Sequence, residues 1–526
     1  MREFKVQLIS PPFLYSDLLY NNIPLPYGLG VLAGFLKKNK YNVTLGNFSE
    51  KIEEFNRKLP LFSNSKINVN ILRRDGEIID YISGKSKNRD IDDFIGRIIQ
   101  ISDDCGKFDL IGIPVMSYHN FLFAALLAKK LKSVTGAKTV VGGPFISIHG
   151  EEFFSRFPFV DYMVVGDGQV PLTRLIEHLT GGIPIQEVPN LIYRQSGRVG
   201  ANPKKLFSIE DIDIPDFSGL RLDFYKSRLQ DAGSLNLPYQ ISRGCIYNCN
   251  FCKRRTLHSS VEFKSHDKVI SEIALMKERY GNNCFHFCDD TINCSYDYLE
   301  KLCDTFIEKG INIFWKASAR VDNLDRKILK KMKKAGCASL WFGIESGSDR
   351  MLSRMGKDFN AELASSVLRY SYEAGIRAGI HIIAGFPHEE EKDVIDTTEF
   401  IRKNSKYIDN ILSVTSLRLE YATNLYNDPQ KFGIENLRPV YDIHRRCFAF
   451  DEINGLRWRD KLKQQLHSRK KVMEANFKYL LPKKYRIRFM PFWLYFFIKE
   501  RLHMLNSYWL SRLFKLSSGH FIKIGQ

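Results

Sequence analysis

Apolar residues along this chain follow two alternating rhythms. The runs FKVQLIS (4–10), NVTLGNF (42–48), FDLIGIPVM (108–116), AKTVVGG (137–143) and VDYMVVG (160–166) are short and nearly continuous, as in strands covered on both faces. Between them, YGLGVLAGFLKKNK (27–40), NFLFAALLAKKLKSV (120–134) and VPLTRLIEHL (170–179) place apolar residues every three or four positions, which predicts amphipathic helices. Residues 50–90, with KLPLFSNSKINVN and SGKSKNRD, interrupt the alternation and read as an insertion. The pattern over residues 1–180 predicts a Rossmann-like α/β domain with an open parallel sheet, whose ligands sit at the carboxyl ends of its strands.

Residues 181–237 begin with two glycines, carry several prolines and hold only short strand-like pieces such as NLIYRQSGRV; they read as a linker. A second and more regular alternation occupies residues 238–420. Its predicted strands are YQISRG (239–244), CFHFC (284–288), NIFWKAS (312–318), ASLWFGI (338–344), RAGIHIIAG (377–385) and ILSVTSLRL (411–419). Helical stretches ending in glycine separate several of them, such as KVISEIALMKERYG and AELASSVLRYSYEAG. Six such units predict a partial (β/α)6 barrel, open at the top and on one side for a large substrate. Residues 421–526 remain as a helical C-terminal extension.

Composition sharpens this in two places. The chain has 526 residues and a formal net charge of +19, but residues 456–526 alone hold 17 Lys or Arg against 3 Asp or Glu. The basic character therefore belongs to the tail. Within it FMPFWLYFFI (489–498) is too short to span a bilayer; a basic aromatic segment of this kind can lie on an anionic membrane, bind a polyanion or pack on the protein. The start, MREFKVQLISPPFLYS, lacks the apolar core of a secretory signal, and the ten cysteines cluster in the middle of the chain rather than forming a disulfide framework. The expectation is a cytoplasmic enzyme, with membrane contact through the tail as an option.

The candidate chemistry starts at ISRGCIYNCNFCKRR (241–255). Cys245, Cys249 and Cys252 follow the first barrel strand, at the end where such folds carry their chemistry. Their spacing would also suit three small core residues on one helix face, yet the flanking Asn, Arg and Lys give that face no apolar companions. His258 could complete a Cys3His zinc site, which would make the chain a nucleic-acid-binding module. Three thiolates without a fourth protein ligand suit an iron–sulfur cluster that leaves one iron open to substrate or cofactor. In the first domain, Ser117 in PVMSYHN, Gly142 and Gly143 in GGPF, and Gly166 and Gly168 in GDGQ mark loops where backbone can approach a large flat or phosphorylated ligand.

CIYNCNFC resembles the CxxxCxxC signature of radical S-adenosylmethionine (SAM) enzymes, and CDDTI, ASARVDNL, FGIESGSD and IAGFPHE follow successive strands in the order of that family. ISPP, LPYGLGVLAGFLKK, FDLIGIPVMS, VVGGPF and DYMVVGDGQVPLTRLIEHL resemble the cobalamin-binding domain of one branch, so the resemblance spans residues 4 to 420. The Asp-x-His-x-x-Gly motif that supplies a lower cobalt ligand is absent, and His119 is assigned no such role. The resemblance implies a 4Fe-4S cluster on the three cysteines, SAM on its open iron, and cobalamin in the first domain. It further implies that Phe251 lines the adenine, Asp289 or Asp290 meets the methionine or ribose end, Arg320 pairs with the carboxylate, and Glu345 and Ser346 contact ribose or ammonium. The implied reaction is methylation of an unactivated carbon, or of phosphorus, in a small molecule, lipid or peptide; cyclisation or rearrangement without methylation is the alternative. An electron donor such as flavodoxin or ferredoxin is the implied partner and no nucleic acid is expected, because a tRNA methylthiotransferase needs a second cysteine set and only Cys105 precedes Cys245.

Overall fold

A computed structural model of the chain describes residues 3–12, 24–60, 63, 65–102, 107–226, 235–258, 260–441 and 444–480. Cys105 and the basic aromatic tail beyond residue 480 lie outside these described residues.

The first alternation folds into a seven-stranded sheet. Its strands are β1 (Lys5–Ser10), β2 (Asn42–Asn47), β3 (Leu110–Pro114), β4 (Lys138–Gly142), β5 (Tyr162–Val164), β6 (Leu191–Gln195) and β7 (Arg198–Ala201), in the order β2-β1-β3-β4-β5-β6-β7. The first five run parallel, with Val6 opposite both Val43 and Leu110, and the order reverses between β1 and β3. The insertion is helical: helices Phe48–Arg57, Asp75–Ile82 and Arg89–Ile101 bury Phe48, Ile78, Phe94 and Ile98 in one core with Phe121 and Leu126. A helix absent from the sequence prediction, Pro144–Arg156, follows β4 with proline at its first position, where the missing N–H costs nothing.

The stretch read as a linker is packed structure. β6 and β7 form a hairpin that extends the sheet antiparallel to β5. Phe217 is fully buried, and Leu220, Phe224 and Tyr225 join a core that runs without a break into the second sheet. Two glycines of the helix Tyr27–Lys38 make this contact: a β-carbon on Gly30 would lie 2.4 Å from the Phe217 ring, and one on Gly34 2.4 Å from the Ile214 carbonyl.

The barrel is a six-stranded parallel sheet in the order β15-β14-β13-β12-β11-β8. Its strands are β8 (Leu237–Tyr239), β11 (Cys284–Phe287), β12 (Phe314–Ala319), β13 (Cys337–Glu345), β14 (Arg377–Ala384) and β15 (Asn410–Ser416). The first strand is shorter than predicted. After Tyr239 the chain leaves the ladder, because Asp289 takes the N–H groups of Ile241 and Ser242; β9 (Ser242–Arg243) then pairs with β10 (Glu262–Phe263). One face of the barrel strands is fully buried under helices, with Phe285, Phe287, Trp315, Leu340 and Ile380, while the alternate residues His286, Lys316, Trp341 and His381 remain partly accessible.

The extension is not purely helical. β16 (Leu419–Glu420), β17 (Ile434–Tyr441) and β18 (His444–Glu452) form an antiparallel sheet, burying Phe432, Ile434, Phe448 and Phe450. The helix Trp458–Ala475 then lies against β14 and β15, where Gln465 donates to the carbonyls of Gly385 and Leu417 and the fully buried Lys461 pairs with Glu452 at 2.8 Å. Among the described residues no helix is long and apolar enough to cross a membrane.

Candidate active site

The two sheets meet carboxyl end to carboxyl end. Asp167, in the loop after β5, pairs with Arg243 of β9, just before the cysteine loop; Arg243 is 7% exposed and also holds the Phe207 carbonyl and Glu262 at 2.8 Å. The helix Pro144–Arg156 packs on the short helix Arg254–Leu257 that follows the cysteines, and its His149 ring lies 5.7 Å from Tyr421. The loop after β5 thus meets the strand that leads into the cysteine loop.

Cys245, Cys249 and Cys252 lie on an irregular loop, the first two half-buried and the third exposed. No helix runs through them, so they share no core face. Gly244 starts the loop with φ +93° where any β-carbon would collide with the Ser260 carbonyl at 2.2 Å. The asparagines that made the motif polar fasten it to the barrel. Asn250 donates from its N–H to the Met355 carbonyl and from its side chain to the Arg354 carbonyl, both at 2.9 Å, and accepts from Asn424 at 3.0 Å. The His258 imidazole is pushed down by burial and by the Arg243 charge beside it.

The barrel loops bring the other predicted residues around this one. Arg320, 4% exposed at the end of β12, donates from Nη1 to Cys249 Sγ at 3.0 Å and from Nε to Asp322, stacks 3.8 Å from the Tyr247 ring centre, and leaves Nη2 buried without a hydrogen-bond partner. Asp289 is buried: Oδ1 accepts from the backbone and hydroxyl of Ser242 and from Ile241, whereas Oδ2 has no partner, and burial pushes the carboxyl up to about 6. Asp290 faces Arg254 at 3.1 Å. Glu345 ends β13 with φ +70°, a left-handed conformation that costs a bulky residue about 1–3 kcal/mol and gathers at working sites. Its carboxylate is held by Lys357 at 3.4 Å, and the Lys357 ammonium lies 5.5 Å from the Phe251 ring. Ser346 is buried against Thr397 at 3.1 Å and accepts from the Ser348 N–H, so its hydroxyl supports the loop.

On the opposite face Ser117 caps the helix Tyr118–Val134, accepting from the Asn120 N–H at 3.4 Å. Gly142 closes β4, and Gly143, at φ +105°, would set a β-carbon 3.0 Å from the Val115 carbonyl. Gly166 donates its N–H to Ser147 at 2.9 Å, and Gly168 precedes the helix Gln169–Leu179. Two large apolar side chains stand in the open on the loops of these ends: Met116, 65% exposed, and Ile246, 50% exposed.

Residues 239–401 match the Radical SAM superfamily. An uncharacterised methyltransferase of Pyrococcus horikoshii is 27% identical over 63% of this chain and 71% of its own length. The cytidylyl-2-hydroxyethylphosphonate methyltransferase of Streptomyces wedmorensis is 24% identical over 73% of each chain. Residues 239–401 are thus similar to a radical SAM domain, and both relatives are named as methyltransferases. A solved structure of the cobalamin-dependent radical SAM enzyme OxsB, with aqua-cobalamin and SAM bound, covers 99% of this enzyme and 74% of that chain with a TM-score of 0.64 at 16% identity, a likeness of fold.

A radical SAM domain implies a 4Fe-4S cluster and SAM, and the residues of this chain fit both. Three thiols sit on a half-open loop, and Arg320 Nη2 makes no hydrogen bond, the exposed Asp358 carboxylate lying 3.9 Å away, which leaves an N–H for a ligand carboxylate. Sequence reasoning did not find Asp167, Arg243 or Lys357. The first two were legible only as single charges in GDGQ and ISRGC; Lys357 joins the site from the loop after the helix Asp349–Arg354.

Proposed function

We propose that this enzyme is a cobalamin-dependent radical SAM methyltransferase, and the observation that carries the reading is the three-thiol loop joined, through Arg243 and Asp167, to the glycine-lined end of a parallel sheet. When bound, the cluster and SAM supply a carbon-centred radical after one-electron reduction, and cobalamin supplies a transferable methyl group. Cys245, Cys249 and Cys252 hold the cluster. Arg320 Nη2 meets the SAM carboxylate, Phe251 lies along the adenine, and Asp289 Oδ2 or Asp290 takes the methionine or ribose end. Glu345 and Ser346 shape the ribose side through the loop they close. Ser117, Gly142, Gly143, Gly166 and Gly168 let the first sheet approach the corrin, with Met116 and Ile246 offering apolar contact to a macrocycle. The acceptor is a small molecule, lipid or peptide, electrons come from a flavodoxin- or ferredoxin-type donor, and the basic tail gives peripheral membrane contact.

Anaerobic reconstitution tests this. The expected protein is brown, binds iron, sulfide and one cobalamin, and converts SAM to 5'-deoxyadenosine and S-adenosylhomocysteine when reduced in the presence of its acceptor. Colourless protein with stoichiometric zinc would overturn the enzyme reading. Iron-loaded protein that cleaves SAM but takes up no cobalamin would remove methyl transfer and keep the radical chemistry.

A further inference from the structure

One of the three cysteine sulfurs already carries a hydrogen-bond donor from the protein. Arg320 Nη1 donates to Cys249 Sγ at 3.0 Å, and its pose is fixed from several directions. Asp322 holds Nε and the Tyr247 ring covers one face. The fully buried Asn293 accepts from the Arg320 N–H and donates to its carbonyl, each at 3.0 Å. One loop, DDTINC after β11, therefore orders the donor.

A donor aimed at a ligand sulfur withdraws electron density from it. That interaction strengthens as negative charge on the sulfur grows, so it favours the reduced form of an iron–sulfur cluster and raises its potential. Burial in a low-dielectric pocket enlarges the effect, and a guanidinium donor is roughly twice as strong as a neutral one.

We propose that Arg320, through its hydrogen bond to Cys249 Sγ, raises the reduction potential of the cluster on Cys245, Cys249 and Cys252. This rests on the cluster reading above. The test is an anaerobic redox titration of the reconstituted full chain, followed by the electron paramagnetic resonance signal of the reduced cluster, after iron and sulfide analysis of each variant. Arg320→Gln should shift the midpoint potential down, with Arg320→Lys measured in its place if the Gln variant loses iron. Iron-loaded Arg320 variants with the parent's potential would overturn the inference alone. A parent protein that takes up no iron would overturn both it and the reading beneath it, and the iron analysis reveals that before any potential is read.

Discussion

The two carboxyl ends that face each other in this enzyme are built from opposite materials. The barrel end is charged and held under tension: an arginine with one nitrogen that makes no hydrogen bond, a buried aspartate with an oxygen that accepts none, and a glutamate in a left-handed conformation. The first-sheet end is made of glycines, a helix-capping serine and an open methionine, and it places one conspicuous charge, Asp167, in a bridge to the barrel. Unpaired charges in low dielectric recognise a small charged ligand by specific bonds. Bare backbone and apolar side chains suit a broad ligand recognised by shape. One fold class thus presents two binding chemistries, and the Asp167–Arg243 pair joins them.

Removing a thiol gives the sharpest separation. Cys249→Ala should abolish the brown colour and all SAM cleavage while leaving cobalamin uptake by the other face intact, which absorption spectra and product analysis would show; loss of cobalamin as well would break the division between the ends. The unpaired Asp289 predicts a pH signature next. Its folded carboxyl titrates at about 6 against roughly 3.9 in the unfolded chain, so the stability it contributes is full below pH 4 and is lost as pH rises through 6. Asp289→Asn removes this loss, and its stability relative to the parent should grow by up to about 3 kcal/mol between pH 4 and pH 7 in urea unfolding of the apoprotein. A pH-independent difference would mean the carboxylate is well solvated.

Arg243→Met tests the joint. It should lower stability by about 2 kcal/mol, less than the roughly 3–5 kcal/mol of a fully buried pair because Asp167 and Glu262 keep contact with water. It should also slow SAM cleavage without loss of iron, read by single-turnover assay; unchanged rates would reduce the bridge to a structural tie. Gly143→Ala should have the smallest cost, about 1–2 kcal/mol from its positive φ and the nearby Val115 carbonyl. Its effect should fall on cobalamin content while SAM cleavage persists. A converse result would reverse the assignment of the two ends.

Much of this was written in the chain's periodicity. The strand runs at 4–10, 42–48, 108–116 and 137–143 became β1 to β4 within two residues at either end, because a strand buried on both faces must be continuously apolar. The cysteine loop was equally plain, since no core packing explains three cysteines among Asn, Lys and Arg. What the sequence could not state is which distant groups close on one another. Residues 181–237 looked like a linker because glycine and proline mark breaks, yet Gly30 and Gly34, on a helix some 185 residues earlier, open the groove that buries Phe217 and turns the segment into core. The first barrel strand stopped early because Asp289, nearly fifty residues on, captured two of its N–H groups. Local propensity follows from neighbours along the chain, and the sequence by itself therefore determined the elements, the fold class and the ligand-bearing loop. The Arg320 bond to Cys249 and the Asp167–Arg243 bridge are pairings across 71 and 76 positions, and only the tertiary structure decided them, because a hydrogen bond depends on distance in space and carries no mark in either partner's local sequence.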